Sequence, residues 1–292
     1  MKSGFVALAG RPNVGKSSLV NAFLGRKVAI VSDKPQTTRN RIVAALHGEG
    51  WQMVLLDTPG IHRPRHLLGE KLVRTATGTL SGVDLLWHVV DLSQAPGKGE
   101  DAVVRHFPAG GRVLLVGNKR DLVPEEEAGG RLLSYAALYP YAGALPVSAL
   151  SGKGLGDLRE ISLGFLPEGP AYYPEDTVTD QPETFVVAEL IREKILHLTR
   201  DEIPHAVAVT VEEMEERGEL LYVRAVINVE RESQKGIIIG QGGLRLREIG
   251  SLARSDLEAV LGTRVYLDLW VKVKKDWRNR EGFLREMGLG DG

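Results

Sequence analysis

The sequence predicts an α/β domain with a mostly parallel sheet covered by helices, followed by a smaller C-terminal α+β domain. Three observations carry this expectation. Residues 1–166 alternate short apolar runs with helical spacing. Gly10-Arg11-Pro12-Asn13-Val14-Gly15-Lys16-Ser17 fits G-x-x-x-x-G-K-[ST] between a strand pattern and a helix pattern. From residue 183 the order changes to helix, two strands, two helices and a strand.

In the first domain, strands are expected over 5–9, 41–47, 52–56, 84–91, 112–117 and 143–147. Their near-continuous apolar runs suit strands buried on both faces. Helices are expected to start at Lys16, Leu67, Gly99, Gly130 and Gly154. Glu168-Gly169-Pro170 and Pro174 break every periodicity and Pro182 closes the stretch, so 167–182 reads as a linker. The second domain, 183–292, opens with a helix whose Val187, Ile191, Ile195 and Leu198 share a face. Strands over 206–211 and 220–229 flank a Glu-rich turn. A helix over 244–261, a strand over 264–273 and a short basic helix near Glu286 complete it.

Composition narrows the function classes. The 292 residues carry 37 Lys and Arg against 38 Asp and Glu, so net charge names no partner. With no cysteine, disulfides and thiolate metal sites are excluded, which suits a reducing cytosol. The N-terminal apolar run ends at once in Arg11-Pro12-Asn13, too short for a signal peptide, and no run approaches the ~18 residues of a membrane span.

The glycine loop is built for phosphate. Its glycines let backbone N–H groups turn inward, and the following helix adds its dipole. Lys16 would reach the β- and γ-phosphates, the Ser17 hydroxyl would hold Mg²⁺, and Ser18 opens the helix. Asp57-Thr58-Pro59-Gly60 follows a strand, where the Asp57 carboxylate can hold Mg²⁺ through water and the Gly60 N–H can approach the γ-phosphate. In the loop between them Thr37 and Thr38 both offer a hydroxyl to the Mg²⁺ shell, and Thr38 is preferred. Lys16, Thr38 and Gly60 are the groups expected to act on the γ-phosphate.

Asn118-Lys119-Arg120-Asp121 selects the base. The Asp121 carboxylate can accept from guanine N1–H and the 2-amino group, a donor pair that adenine lacks. Lys119 can lie over the base, Asn118 can tie this loop to the phosphate loop, and Ser148-Ala149-Leu150 can offer N–H groups to guanine O6. The expected ligands are therefore GTP and GDP with Mg²⁺. His62 and His66 read as exposed loop residues rather than bases.

In the second domain, Gly240-Gln241-Gly242-Gly243 fits the G-x-x-G loop of a KH module, and the element order agrees with the type II form. Lys235, Gly236, Ile239, Arg245 and Arg247 surround the loop. Lys272, Lys274, Lys275, Arg278 and Arg280 crowd the C-terminus, with Trp270 and Trp277 interleaved; Trp270, in a strand, is read as core. The loop residues with Lys235, Gly236, Ile239, Arg245, Lys274, Lys275, Trp277 and Arg278 are the expected RNA contacts.

The five nucleotide stretches resemble the G-domain of translation-factor-like GTPases. Ile61 stands where Ras-like proteins carry a water-positioning glutamine, so slow intrinsic hydrolysis is expected. In related GTPases an asparagine at the place of Asn13 helps bind K⁺, which implies K⁺ stimulation; a plain loop-shaping role is the alternative. The G-domain joined to a type II KH module resembles the Era family of bacterial GTPases over nearly the whole chain. The resemblance implies a GTP-dependent assembly factor of the small ribosomal subunit that binds single-stranded RNA near the 3′ end of its rRNA, and a monomer is expected. It also implies a cytoplasmic protein partly associated with the inner membrane. Two other readings stay open: a GTPase switch signalling through protein partners on a C-terminal scaffold, and an RNA-binding protein merely stabilised by nucleotide. Transfer-RNA modification, whose GTPases share these loops, fits less well because that class normally uses a catalytic cysteine.

Overall fold

The computed structural model describes residues 1–64 and 66–289. The last three residues of the expected 183–292 domain lie outside the described residues. The main boundary between two units falls between Asp180 and Gln181.

The first unit is a six-stranded sheet: β1 (Lys2–Ala9), β2 (Ile42–Gly48), β3 (Trp51–Asp57), β4 (Leu85–Asp91), β5 (Val113–Asn118) and β6 (Gly143–Pro146). The spatial order is β2-β3-β1-β4-β5-β6, with only β2 antiparallel. The helices between strands are α1 (Lys16–Leu24), α2 (Leu67–Thr79), α3 (Lys98–Val104), α4 (Glu125–Ala136) and α5 (Leu155–Phe165). Alternate residues of one strand feed opposite cores. Val6 and Leu8 pack with Leu55, Trp87 and Leu158, whereas Ala7 and Ala9 pack with Leu56, Ile61 and Leu86. Burial on both faces is why these strands are apolar throughout. Because β1, β3, β4, β5 and β6 run parallel, the loops that leave them gather at one edge of the sheet.

Two expectations need correction here. Helix α4 starts at Glu125 rather than Gly130. Pro124 caps it, and Glu125, Glu126 and Glu127 place negative charge on the positive end of its dipole. That gain carries the helix through Gly129 and Gly130, which cost roughly 1 kcal/mol each relative to alanine. The expected linker is also not free over most of its length. Up to Asp180 it lies on the first unit: Gly169 N–H donates to Met1 O at 2.9 Å and Ala45 N–H to Val178 O at 2.9 Å.

The second unit contains α6 (Glu183–Leu198), α7 (Ile203–Ala206), β7 (Ala208–Arg217), β8 (Leu220–Val229), α8 (Glu232–Ile239), α9 (Leu244–Leu261), β9 (Arg264–Val273) and α10 (Glu281–Glu286). The sheet order is β7-β8-β9, with β7 antiparallel and β9 parallel to β8. Parallel pairing of β8 and β9 requires a crossover, and α8 with α9 supplies it. The Glu-rich segment is the second half of β7, not a turn. Glu213 and Glu215 stand opposite Arg224 and Tyr222, and Arg217 and Arg224 neutralise them. The turn is confined to Gly218 and Glu219. Helix α10 carries Glu281 and Glu286 with Arg285, so it is not basic. Among the described residues no helix is long and apolar enough to cross a membrane.

Candidate nucleotide site and candidate nucleic-acid groove

The glycine loop joins β1 to α1. Gly15 is the residue before the helix and has φ 95°, a backbone state that glycine adopts without strain. A Cβ there would meet the Asn118 amide nitrogen at 2.2 Å, so no other residue fits. Asn118 reaches the same loop by donating to Val14 O at 2.9 Å, and its carbonyl accepts from Ala149 N–H at 3.0 Å. The tie between the two loops expected from sequence is thus present, and it extends to the loop after β6. Asn13 is exposed at φ 65°, which an asparagine tolerates better than most residues.

Lys16 is buried and its ammonium donates to Gly10 O (3.2 Å) and Arg11 O (3.0 Å). Burial brings its pKa down to about 8, with Asp57 and Glu100 acting in the opposite direction. Three oxygen groups converge beside it. Ser17 Oγ donates to Asp57 Oδ2 at 2.5 Å and lies 2.9 Å from Thr38 Oγ1. Burial pushes the Asp57 carboxyl up to about 6, against Lys16 and the Ser17 hydrogen bond. Its other oxygen, Oδ1, is buried with no hydrogen-bond partner among the described residues. Such an orphan is costly unless something satisfies it. Two hydroxyls and a carboxylate are hard oxygen donors, the set a Mg²⁺ ion takes.

Thr58 is buried and donates to Leu8 O at 2.7 Å, and Pro59 is buried beside it. Gly60 presses on the phosphate loop: a Cβ there would meet Pro12 N at 2.6 Å. Ile61 is 4 % exposed, packs in the core with Val54 and Leu56, and donates its N–H to Gly10 O at 3.2 Å. An apolar side chain held there cannot orient water by hydrogen bonding. His62, expected to be exposed, is half-buried and bridges two loops. Nδ1 donates to Gly60 O (3.0 Å) and Nε2 accepts from the Gln36 amide (2.9 Å). His66 is half-buried as well. Thr37 and Thr38 are buried rather than part of a solvated loop.

At the base end, Asp121 is exposed and Ser148 Oγ donates to its Oδ1 at 2.5 Å. Lys119 has φ 62° and its ammonium pairs with Asp91 at 2.6 Å. Burial raises the Asp91 pKa, but hydrogen bonds from Lys119 and Ser93 outweigh it and hold the carboxyl below its ordinary range. Leu150 is 87 % exposed. Asp91 and the bridging role of Gln36 were not expected from sequence; an acid at the end of β4, beside the strand that carries Asn118, was the available signal for Asp91. Glu100 was also missed. It is buried, lies 3.5 Å from Arg11 of the phosphate loop, and lies 3.3 Å from the buried His88.

In the second unit, Gly240, Gly242 and Gly243 have φ of 72°, 58° and 79°, so the loop between α8 and α9 is turned by left-handed backbone. A Cβ on Gly240 would meet Arg245 Cβ at 2.8 Å. Arg245 donates to Ile237 O at 2.9 Å and so closes the end of α8. Gly243 offers α9 no side-chain cap, which leaves that helix terminus open to an anion. Gln241 and Gly242 are exposed, and Lys235 and Ile239 are half-buried. Beside the loop, a cavity of about 530 Å³ runs between α9 and β9, lined by Gly243, Leu246, Arg247, Gly250, Arg254 and Tyr266. Arg254 and Tyr266 were not expected; Arg254 lies seven residues beyond Arg247, the helical spacing that puts both on one face.

The two tryptophans exchange places relative to expectation. Trp270 is 55 % exposed, because it falls on the exposed alternation of β9, opposite in parity to the buried Val265 and Val271. Trp277 is fully buried, donates Nε1–H to Ala206 O at 2.9 Å and meets Phe283 edge-on. It is a core residue and cannot stack on RNA. Arg278 is committed to Glu230 at 2.5 Å. Lys274 lies 3.5 Å over the Phe283 ring and 3.7 Å from Glu286. Lys275 remains exposed. The expected cationic patch at the C-terminus is therefore reduced by these pairings.

Comparison with known proteins matches a stretch of each unit to a family. Residues 5–119 match the 50S ribosome-binding GTPase family and residues 202–278 the KH domain family. GTPase Era of Heliobacterium modesticaldum is 51% identical over 294 residues, covering 100% of this chain and 98% of that protein. GTPase Era of Staphylococcus haemolyticus is 48% identical over 289 residues, covering 98% and 97%. Two crystal structures each align with TM-score 0.96 and 38% identity over the full length of both chains. One is a point variant of Aquifex aeolicus Era bound to GDP and AlF₄⁻; the other is Era in complex with MgGDPNP and nucleotides 1506–1542 of 16S ribosomal RNA.

Proposed function

The chain belongs to the Era family of GTPases, and from that premise we propose that it assembles the small ribosomal subunit by binding the 3′ end of its rRNA in a GTP-dependent manner. The observation that carries this is the full-length match to a structure holding a GTP analogue and that rRNA segment at once. Residues 1–166 are the GTPase module and 183–292 the RNA-binding module. A ribosomal target places the work in the cytoplasm. Attachment to the inner membrane rests on the resemblance alone.

The reaction is hydrolysis of GTP to GDP and phosphate. The backbone of Gly10 to Ser18 cradles the phosphates and Lys16 moves from the loop carbonyls to the β- and γ-oxygens. The hydroxyls of Ser17 and Thr38 and the carboxylate of Asp57 hold Mg²⁺, which neutralises phosphate charge when bound. Thr58 and Pro59 fix the turn that aims the Gly60 N–H at the γ-phosphate. Asp121 reads guanine, with Asn118, Lys119 and Ser148 to Leu150 completing the base pocket. Arg247, Arg254 and the Gly240–Gly243 loop track the RNA backbone, and Tyr266 offers a stacking face.

Ordering of the loop around Thr38 and of the segment after Gly60 by GTP then favours the RNA-competent state. Linkage requires the reverse effect, so an oligonucleotide of the rRNA 3′ end should bind at least ~5-fold tighter with GDPNP than with GDP. Equal affinities in an anisotropy titration would end the coupling. A second prediction concerns hydrolysis. Ile61 supplies no water-positioning group, and Asn13 stands exposed on the phosphate loop. We expect hydrolysis about tenfold faster in K⁺ than in Na⁺ at equal ionic strength, because a cation at the developing phosphate charge is worth at least that much. Equal rates would leave Asn13 as a loop-shaping residue only.

A further inference from the structure

Strands β2 and β3 form an antiparallel hairpin whose open end carries the groups proposed to sense the γ-phosphate. Thr38 precedes β2, Asp57 closes β3, and Ile42 stands opposite Asp57. The far end of the same hairpin is fastened to the segment that leads out of the first unit. Gln52 on β3 is 1 % exposed. Its Oε1 accepts from Tyr172 N–H (2.6 Å) and Tyr173 N–H (3.1 Å), and its Nε2 donates to Tyr173 O (2.7 Å) and His47 Nδ1 (3.2 Å). With Nδ1 accepting, the imidazole donates from Nε2 to Thr177 O at 2.8 Å. Two residues before His47 on the same strand, Ala45 N–H donates to Val178 O at 2.9 Å, and the Tyr172 ring packs 4.5 Å from Phe5.

A buried glutamine with all four hydrogen-bonding positions filled is rigid, since any displacement leaves polar groups unpaired. Three of the four are spent on the backbone of two successive tyrosines. None touches the nucleotide loops. We infer that Gln52, seconded by His47, is a positioning residue that makes residues 172–178 ride on the β2–β3 hairpin, so that the nucleotide state set at Thr38 and Asp57 is delivered to the segment entering α6. The inference rests on the proposed GTP–RNA coupling and names its route.

The test is the ratio of RNA affinities with GDPNP and with GDP, measured on the full chain with the rRNA 3′-end oligonucleotide. Gln52→Met keeps the volume and removes all four hydrogen bonds. His47→Ala, at a half-buried site, removes one anchor at less risk to folding and decides the matter if the first variant does not fold. In both, the ratio should fall from at least ~5 to within about twofold of unity, with GTP hydrolysis in the absence of RNA unchanged. A merely structural role would lower the melting temperature and leave the ratio in place. Retention of the parent ratio in a folded variant overturns the route and spares the coupling. A parent ratio of one overturns the coupling, and the route with it.

Discussion

Asp121→Asn is expected to lower GTP affinity by roughly 100-fold or more while creating affinity for xanthosine triphosphate. The guanine edge presents two donors, N1–H and the 2-amino group, and a carboxylate meets both as acceptor. Hydrogen bonds to a charged group are worth about 1.5–3 kcal/mol each, and an amide replaces one acceptor with a donor that faces the 2-amino group. The loss is therefore one bond plus a donor–donor conflict, about 3 kcal/mol or more, which is a factor of at least ~100. Xanthine carries a carbonyl in place of the amino group. The carbonyl of the substituted amide would accept from N1–H, and its NH₂ would donate to that xanthine oxygen. The surroundings favour this exchange without rearrangement, because Ser148 Oγ anchors one oxygen of Asp121 at 2.5 Å and Asn118 separately ties the loop to Val14. Calorimetry with both nucleotides checks it. An unchanged GTP affinity would show that Asp121 does not read the base.

The nucleotide site was largely legible in the sequence because its chemistry depends on local motifs at strand ends. Lys16, Ser17, Asp57 and Asn118 sit where strand-loop-helix spacing places them, and the convergence of Ser17, Thr38 and Asp57 follows once β1 and β3 are neighbours. What stayed hidden depends on long-range packing. Gln52 looks like any polar residue in a strand, and its tyrosine partners lie about 120 residues further along the chain. Glu100 and His88 are likewise polar residues whose burial no local pattern announces. The tryptophans show the same limit. Strand periodicity settles that residues of β9 alternate, but which parity faces the helices is decided by their packing against the sheet, and Trp277 lies beyond the strand where no periodicity applies. The Glu-rich end of β7 misled for an electrostatic reason: clustered glutamates suggest a solvated turn, yet Arg217 and Arg224 on the same sheet pair with Glu213 and Glu215, and Lys272 pairs with Glu212.

Gly242→Asp should weaken binding of the rRNA 3′-end oligonucleotide by roughly 100-fold, with GTP hydrolysis in the absence of RNA unchanged. Three observations isolate charge as the cause. The residue has φ 58° and ψ 21°, a left-handed state that aspartate and asparagine adopt more readily than other side chains. A Cβ there meets nothing within 4 Å, so the fold is not strained by contact. The loop opens on the N-terminus of α9, which has no side-chain cap and is the natural seat of a phosphate. A carboxylate at 242, one residue before the N-cap Gly243, would both repel the RNA backbone and place its own negative charge at the positive end of the helix dipole, and the two effects together amount to about 3 kcal/mol. Gly242→Asn separates them from shape, since it has nearly the same size and backbone preference and no charge; a loss of only a few-fold is expected. Equal losses for Asp and Asn would replace the electrostatic account with a steric one. No loss in either variant would mean that the strand does not pass over this loop, and the groove between α9 and β9 would have to hold it without the G-x-x-G turn.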